Sequence, residues 1–359
     1  MSSLWGRHFI VDIFGESHGP KIGAVINGLP AGTVLDFPQL RAFLNRRRAG
    51  SEAWSTKRHE TDDFEIVSGY SHGFSTGTPL CVLFHNSAQR SADYDERVNR
   101  PGHADYTGHI RYDGFNDPRG GGHFSGRLTA PLLFAGAVAA QLLKAKGIYA
   151  ATHIRRIADI EDTAFDPTNI PQALAEQLAA SRLPLIDETK REPMEQAIKQ
   201  AASEGDSVGG IVECAVCGIP AGVGSPMMDT VESALSSLLF AIPAVKGVSF
   251  GAGFDFALMR GSQANDAYTL RDGQIVAGTN NNGGILGGIT NGMPIVFQTV
   301  IKPTASISKP QQTVNLKTLE EETITVKGRH DACIVPRAAA VVEAAACLCL
   351  LDLMMERGL

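Results

Sequence analysis

The sequence predicts an α+β fold in which antiparallel sheets are covered by helices. Three observations carry that prediction. Segments with strand-like alternation and segments with helical periodicity are mixed along the chain. No strand–GxGxxG–helix unit and no GxxxxGK[ST] motif occurs, so a doubly wound dinucleotide-binding fold has no signature here. One stretch is repeated: GESHGPKIGAVINGLPAG at 15–32 aligns without gaps on GDSVGGIVECAVCGIPAG at 205–222, at a constant offset of 190 residues. Gly15, Ser17, Gly19, Gly28, Pro30, Ala31 and Gly32 recur as Gly205, Ser207, Gly209, Gly218, Pro220, Ala221 and Gly222. Each copy reads as a Gly-rich turn, a strand and a Gly-x-Pro-Ala-Gly exit. The reading is one domain over 1–359, built from two similar halves at about 6–150 and 200–359.

The elements follow in order. Asp36 is placed to cap a helix over 37–48. Strands are expected at 65–68 and 80–84, then a helix over 130–146 stopped by Gly147. Helices follow at 171–182, 191–202 and 230–240, strands at 294–302 and 323–327, and a last helix at 337–357. The apolar run 338–355 is of membrane-spanning length, but Glu343 and Asp352 interrupt it and Pro336 suits a first turn, so it reads as a buried helix of a soluble protein.

Composition narrows the function. The formal charge of −6 disfavours general nucleic-acid binding, so an anionic ligand must be met by a local basic cluster. The first ten residues hold Trp5, Arg7 and His8 and no apolar run, so no secretory signal is read and a reducing, cytoplasmic setting with six free thiols is expected. Cys214 and Cys217 lie on a predicted strand, where positions three apart face opposite ways. They are expected to pack rather than bind metal, and no metal site is expected.

The repeat also separates scaffold from chemistry. Its glycines and proline recur, but His18 does not: Val208 stands in its place. A histidine in a Gly-rich turn can approach a ligand and move a proton near neutral pH. His103 sits in RPGHADYTG, where Pro101 and Gly102 make a turn displaying Arg100, His103 and Asp105, and Asp105 can orient the imidazole. His59 and His153 have no such setting, and their replacement is expected to matter little. Arg46, Arg47 and Arg48 end the first helix, where cations offset its dipole; adjacent residues diverge, so at most two can serve one pocket. Arg58 follows, and guanidinium groups suit phosphate and carboxylate. DPRGGGHFSGRLT at 117–129 offers backbone amides to an anion, KPTASIS at 302–308 a lysine and hydroxyls, and GRHD at 328–331 an arginine and a carboxylate before the last helix.

Taken together, GESHGP, RRR, STGTP, RPGHADYTG, GDSVGG, AVKGVSFGAGF, RGSQ, NNGGILGGITNG, IKPTASI and GRHDACIVPRA resemble the blocks of the chorismate synthase family, in order and spacing from Gly6 to the final helix. The resemblance implies a carbon–oxygen lyase of aromatic amino-acid biosynthesis. Its substrate would be 5-enolpyruvylshikimate 3-phosphate, its products chorismate and phosphate, and its cofactor reduced FMN with no net redox change. It further implies a homotetramer of β-α-β sandwich subunits, and it leaves open whether NADPH reduces the flavin on the protein or an external flavin reductase supplies it. By the same resemblance His18 would assist the departing phosphate, His103 would sit by the flavin, and Asp331 would accept a proton on the flavin side. Arg48, or its neighbour Arg47, would join Arg100, Arg127 and Arg329 on the anionic groups. Ser125, Pro243, Ala244, Gly287, Lys302, Pro303, Thr304, Ala305, Ser306 and Arg329 would line FMN, with His123 and Phe124 beside them. The chain departs from the family's GGRSSARET: His123, Phe124, Gly126 and Leu128 replace Arg, Ser, Ala and Glu, whereas Ser125, Arg127 and Thr129 remain. An arginine usually found shortly after RRR is absent around Ala53. The rival classes are a flavin or nicotinamide oxidoreductase, which should show a dinucleotide fingerprint, and a non-catalytic anion binder, which would not need His18, His103 and Asp331 together.

Overall fold

The structure, a computed structural model, describes residues 3–48, 50, 62–87, 98–271, 273–326 and 330–359. Strands β1 (Leu4–Trp5), β2 (Ile10–Gly15), β3 (Lys21–Asn27), β4 (Phe64–Ser68) and β5 (Leu80–His85) form one antiparallel sheet in the order β1-β2-β3-β5-β4. Strands β6 (Tyr149–Ile157), β7 (Ile160–Glu161), β8 (Gly210–Cys217), β9 (Val245–Phe250) and β10 (Ile295–Ile301) form a second, in the order β9-β10-β8-β6-β7. Without the short edge pieces β1 and β7, the two sheets follow one path: β2-β3-β5-β4 and β6-β8-β10-β9. The repeated segments supply β3 and β8, the middle strand of each sheet. Their glycines share backbone conformation: Gly28 and Gly218 have φ of 86° and 88°, Gly32 and Gly222 of 80° and 90°, values open mainly to glycine.

The α-helices longer than one turn are α1 (Phe37–Asn45), α2 (Asp105–Arg111), α3 (Thr129–Lys144), α4 (Gln172–Ala180), α5 (Arg191–Ser203), α6 (Val231–Ala241) and α7 (Val335–Glu356). Asp36 caps α1, accepting from the Gln39 amide at 3.0 Å, but the helix stops at Asn45 and the three arginines turn away one after another. Helices α3 and α7 form the middle layer between the sheets and pack along each other. Gly136 permits that approach, since a Cβ there would stand 2.4 Å from that of Ala344. With the helical turn before it, α3 runs from Gly126 to Lys144, and both it and α7 are long and apolar enough to cross a membrane, but 78% and 94% of their apolar windows are buried inside the protein. The two acids of α7 explain how it sits in the core. Glu343 accepts both Arg46 Nη1 and Nη2, at 2.7 and 2.6 Å, and Asp352 accepts the backbone amides of His8 and Phe9 at 2.6 and 2.7 Å.

Residues 158–209, which include the short edge strand β7, separate β6 from β8. This insertion carries α4 and α5, and with the sheet's outer face it closes a second apolar cluster around Phe165, Ile170, Leu178 and Ala215. Cys214 belongs to the main core and Cys217 to this second cluster, on the two faces of β8. The expected strand at 323–327 is observed as Glu321–Ile324, paired with Gln311–Val314.

Candidate active site

The site grows from the turn after β2. The Ser17 amide donates to Gly122 O at 3.1 Å, and Ser17 Oγ donates to Gly120 O at 3.1 Å. These bonds lay the loop 119–124 across the turn. Gly120 and Gly121 have positive φ and are also crowded: a Cβ on Gly120 would lie 2.3 Å from His18 Nε2, and one on Gly121 would lie 3.1 Å from His103 Nε2. Consecutive Cα atoms are about 3.8 Å apart, so the two histidines flank one short piece of backbone. His18 is 5% exposed.

His103 is braced from behind. Its Nδ1 lies 2.6 Å from Asp105 Oδ1, which places the proton on Nδ1 and leaves Nε2 facing Gly121. Arg100 grips the same carboxylate with Nε and Nη2, both at 2.7 Å. Burial works against ionising Asp105, but the bonds from Arg100 and His103 outweigh it and hold the carboxyl well below its usual range. Arg100 Nη1 also reaches Ser306 Oγ at 3.4 Å, and Lys302 Nζ donates to Gly102 O at 2.5 Å. The loop 302–306 thus packs on the His103 turn. It is tied behind to Ala244, whose carbonyl accepts the Lys302 amide at 2.9 Å and whose φ is +75°, and to Ser207, whose hydroxyl donates to Thr304 O at 2.7 Å. Thr304 Oγ1 is buried with no hydrogen-bond partner.

The arginines sort themselves by partner. Arg46 goes to Glu343 in the core. Arg47 Nη2 donates to Asp62 Oδ2 at 2.7 Å, and Arg127 Nη1 pairs closely with Asp62 Oδ1. All three side chains are buried. Burial opposes ionisation of Asp62, but Arg47 and Arg127 together hold it below the usual carboxylate range. Burial lowers Arg47, and the nearby Arg337 and Arg127 add to this against the pull of Asp62. Arg48 donates to Asn45 Oδ1 at 2.8 Å, back along its own helix, so it is Arg47 that joins the cluster. Asp331 pairs with Arg337 Nη1 at 2.5 Å, and Arg337 Nε donates to Arg47 O at 2.8 Å.

The structure thus gathers His18, His103, Arg100, Lys302 and Ser306 around the loop 120–122, and links Arg47, Arg127 and Asp331 in an adjoining network. The other expected residues have settings of their own. Gly287 turns the hairpin Ile285–Leu286 to Ile289–Thr290, before β10, whereas Lys302 follows that strand at its other end. His123 is engaged with scaffold, Nδ1 on Gly15 O at 2.8 Å and Nε2 on Ser3 Oγ at 2.6 Å. Phe124 packs against Tyr112 and close to Gly108 of α2. Ser125 Oγ accepts the Arg127 amide at 3.3 Å, a local cap. His153 is not an idle histidine: it is fully buried between Asp162 and Glu213, at 2.9 and 2.8 Å. Ala53, Arg58, His59 and Arg329 lie outside the described residues. Sequence reasoning passed over Asp62, Asn86 and Arg337. One acid of the pair Asp62–Asp63 before β4 and an arginine in the first turn of α7 carry no motif; only their partners identify them. An open apolar groove of about 970 Å³, lined by Tyr268, Leu270, Ile275, Leu286 and Ile289, lies beside the Gly287 hairpin and away from these residues.

Comparison with known proteins identifies the family. A family model described as chorismate synthase matches residues 9–355. The chain is 47% identical over 355 residues to a chorismate synthase of Thermococcus gammatolerans, covering 98% of this chain and 97% of that protein. It is 44% identical over 361 residues to one of Dehalococcoides mccartyi, covering 100% and 98%. A crystal structure of chorismate synthase superposes with a TM-score of 0.77 at 27% identity, covering 98% of this chain and 93% of that one.

Proposed function

The chain belongs to the chorismate synthase family, and from that premise we propose that it eliminates phosphate from 5-enolpyruvylshikimate 3-phosphate to give chorismate, with reduced FMN bound beside His103. The observation that carries this reading is the pair of histidines on either side of Gly120 and Gly121, one in a turn stitched to that loop and the other braced by Asp105 and Arg100.

The residues around Lys302 fit a flavin. Thr304 Oγ1 is a buried hydroxyl without a partner, Ser306 is buried, and Lys302 adds a cation. Reduced FMN, when bound, supplies the electron-rich partner needed to remove a hydrogen that no ordinary side-chain base can take. The chain's own groups do the rest. His18 delivers a proton to the departing phosphate, where charge builds as the C–O bond breaks. His103, its Nδ1 fixed by Asp105, moves a proton at Nε2 on the flavin side. Asp331, oriented by Arg337, accepts one there. Arg47, Arg100 and Arg127 hold the phosphate and carboxylate groups. We further infer one domain of two similar halves, assembled as a cytoplasmic homotetramer.

An anaerobic assay with dithionite-reduced FMN should show chorismate forming from the phosphorylated substrate. A protein that binds both ligands yet forms none would sink the reading. A flavin-absorbance titration should show much tighter FMN binding when the substrate is present, because the two share one cleft.

A further inference from the structure

Asp62 sits where two guanidinium groups converge. Arg47 approaches one carboxylate oxygen and Arg127 the other, in a buried setting. Among the described residues this is one carboxylate for two cations, and the neighbouring Asp331–Arg337 pair is itself neutral. Two buried guanidiniums facing one carboxylate bring several N–H donors together, a setting that suits an incoming anion. Arg47 Nε is buried with no hydrogen-bond partner, a donor left over after Asp62 is served. The backbone of Asp62 has φ of +48°, a conformation that costs energy for a residue other than glycine. Strain of that kind persists where the side chain is held from several directions.

The cluster is also wired to two of the three proposed proton-moving residues, His18 and Asp331. Arg127 Nε donates to Asn86 Oδ1 at 3.0 Å, and Asn86 Nδ2 donates to Glu16 O and Gly19 O at 3.1 and 2.9 Å. Those two carbonyls bracket His18. On the other side, Arg337 links the Arg47 carbonyl to Asp331. Bonds thus run from the His18 turn through Asn86, Arg127, Asp62, Arg47 and Arg337 to Asp331.

We propose that Asp62 is a positioning residue: its carboxylate sets the spacing of the Arg47 and Arg127 guanidiniums so that together they receive one anionic group of the substrate. This rests on the reading above that both arginines bind substrate. Asp62 itself touches no substrate. Two variants separate spacing from charge. Asp62→Asn keeps shape and suits a positive φ, but removes the charge and turns an amide donor toward one arginine. Asp62→Glu keeps the charge and adds one methylene.

For Asp62→Asn, KM and the calorimetric Kd for 5-enolpyruvylshikimate 3-phosphate should rise about 10- to 100-fold, with kcat within about threefold, as expected for loss of binding common to ground and transition states. The Kd for inorganic phosphate, a smaller and less directional probe, should move less than about threefold, because the positive charge remains. Asp62→Glu should raise the substrate Kd about five- to tenfold although charge is intact. Unchanged substrate Kd in Asp62→Glu overturns the proposal, as does Asp62→Asn with a lower melting temperature and unchanged Kd. Equal weakening of substrate and phosphate would also overturn it, showing collapse of the site rather than lost spacing. If Asp62→Asn does not fold, the Asp62→Glu Kd decides. If the unaltered protein binds the substrate without forming chorismate, the proposed reaction fails while the Kd values still judge Asp62. If it binds neither ligand, both ideas fail.

Discussion

The two sheets differ most at their centres. In the first, Phe14, Gly23 and Leu83 lie side by side across β2, β3 and β5. At the equivalent places in the second stand His153, Glu213 and Gln298, across β6, β8 and β10. Gly23 leaves room for the Val82 carbonyl and the Phe14 ring, which would lie 2.4 and 2.6 Å from an added Cβ, and Phe14 remains 37% exposed. The second trio is sealed under the insertion. His153 bonds Asp162 and Glu213, Glu213 also takes the Phe165 amide at 2.9 Å, and Asp162 takes the amides of Ile186 and Asp187, both at 2.8 Å. The same strand path thus serves two ends. One half keeps a bare outer face and places its histidine in the turn. The other buries a histidine in the sheet and uses it to fasten 158–209. The turns show the same division. Ser17 is stitched to the loop before α3 and Val208 to the loop before α7, by backbone bonds of 3.1 and 2.8 Å, but only the first turn carries an imidazole.

The sharpest way to break that comparison is to exchange the turn residues. His18→Val should lower turnover by about 10²–10⁴, the usual range for an acid–base group, while the melting temperature stays nearly unchanged. Val208→His should leave turnover in place and cost about 1–3 kcal/mol, since it adds a polar group where Val208 packs against the core. Turnover and thermal melts on both variants check this. An active His18→Val enzyme would mean that scaffold and chemistry have been exchanged.

His153→Gln should be felt in stability rather than in the active site. Removing one member of a buried charged trio costs about 3–5 kcal/mol, seen as a lower denaturant midpoint with KM unaffected in the folded fraction. The pH dependence has a definite sign. Burial lowers the His153 pKa, but the bonds to Asp162 and Glu213 overcome it and raise the net value. Its contribution is therefore complete below the unfolded value of about 6.5 and is lost as pH rises through the raised one. Asp162 and Glu213 are held low, mainly by His153 acting against burial, so their share is present above about 4 and is lost as pH falls through their lowered values. The stability gap between the unaltered protein and His153→Gln should thus be widest between about pH 4.5 and 6.5. A gap that keeps growing above pH 8 would show that His153 is neutral.

Legibility followed the same line. The long apolar helices are readable because their burial is nearly continuous, the strand at 294–302 because it is rich in β-branched residues, and the Gly-x-Pro-Ala-Gly exits because positive φ leaves a mark on residue type. Strand β6 escaped notice because His153, Arg155 and Arg156 break its apolar pattern, and their partners lie on β7, β8 and the insertion. His18 and His103 stood out by their Gly-rich turns. The Asp62 network did not, because a buried ion cluster is defined by side chains about 15 to 290 residues apart in sequence, and no local pattern encodes such a meeting. The insertion was read as two helices but not as an interruption of a repeated half, since only the paired register reveals that β6 belongs with β8.

The smallest predicted effect tests how far the two turns are truly alike. By the repeat Gly19 and Gly209 are equivalent, and if their turns needed a conformation open mainly to glycine both would resist substitution alike. The structure separates them. Neither has positive φ, so both can accept an L side chain in principle, and space decides. At Gly209 a Cβ would meet Ile301 O at 2.5 Å and Pro303 Cδ at 3.0 Å, both parts of a rigid strand end. At Gly19 the nearest atom is Glu16 O at 3.3 Å, within a turn that can give by a few tenths of an ångström. Gly209→Val should therefore cost about 1–3 kcal/mol, the range of overpacking, and Gly19→Val less than about 1 kcal/mol. Chemical denaturation of the two single variants measures the difference directly. Equal losses would mean that the Gly19 turn is as tightly held as its counterpart, and that the freedom ascribed to the histidine-bearing turn does not exist.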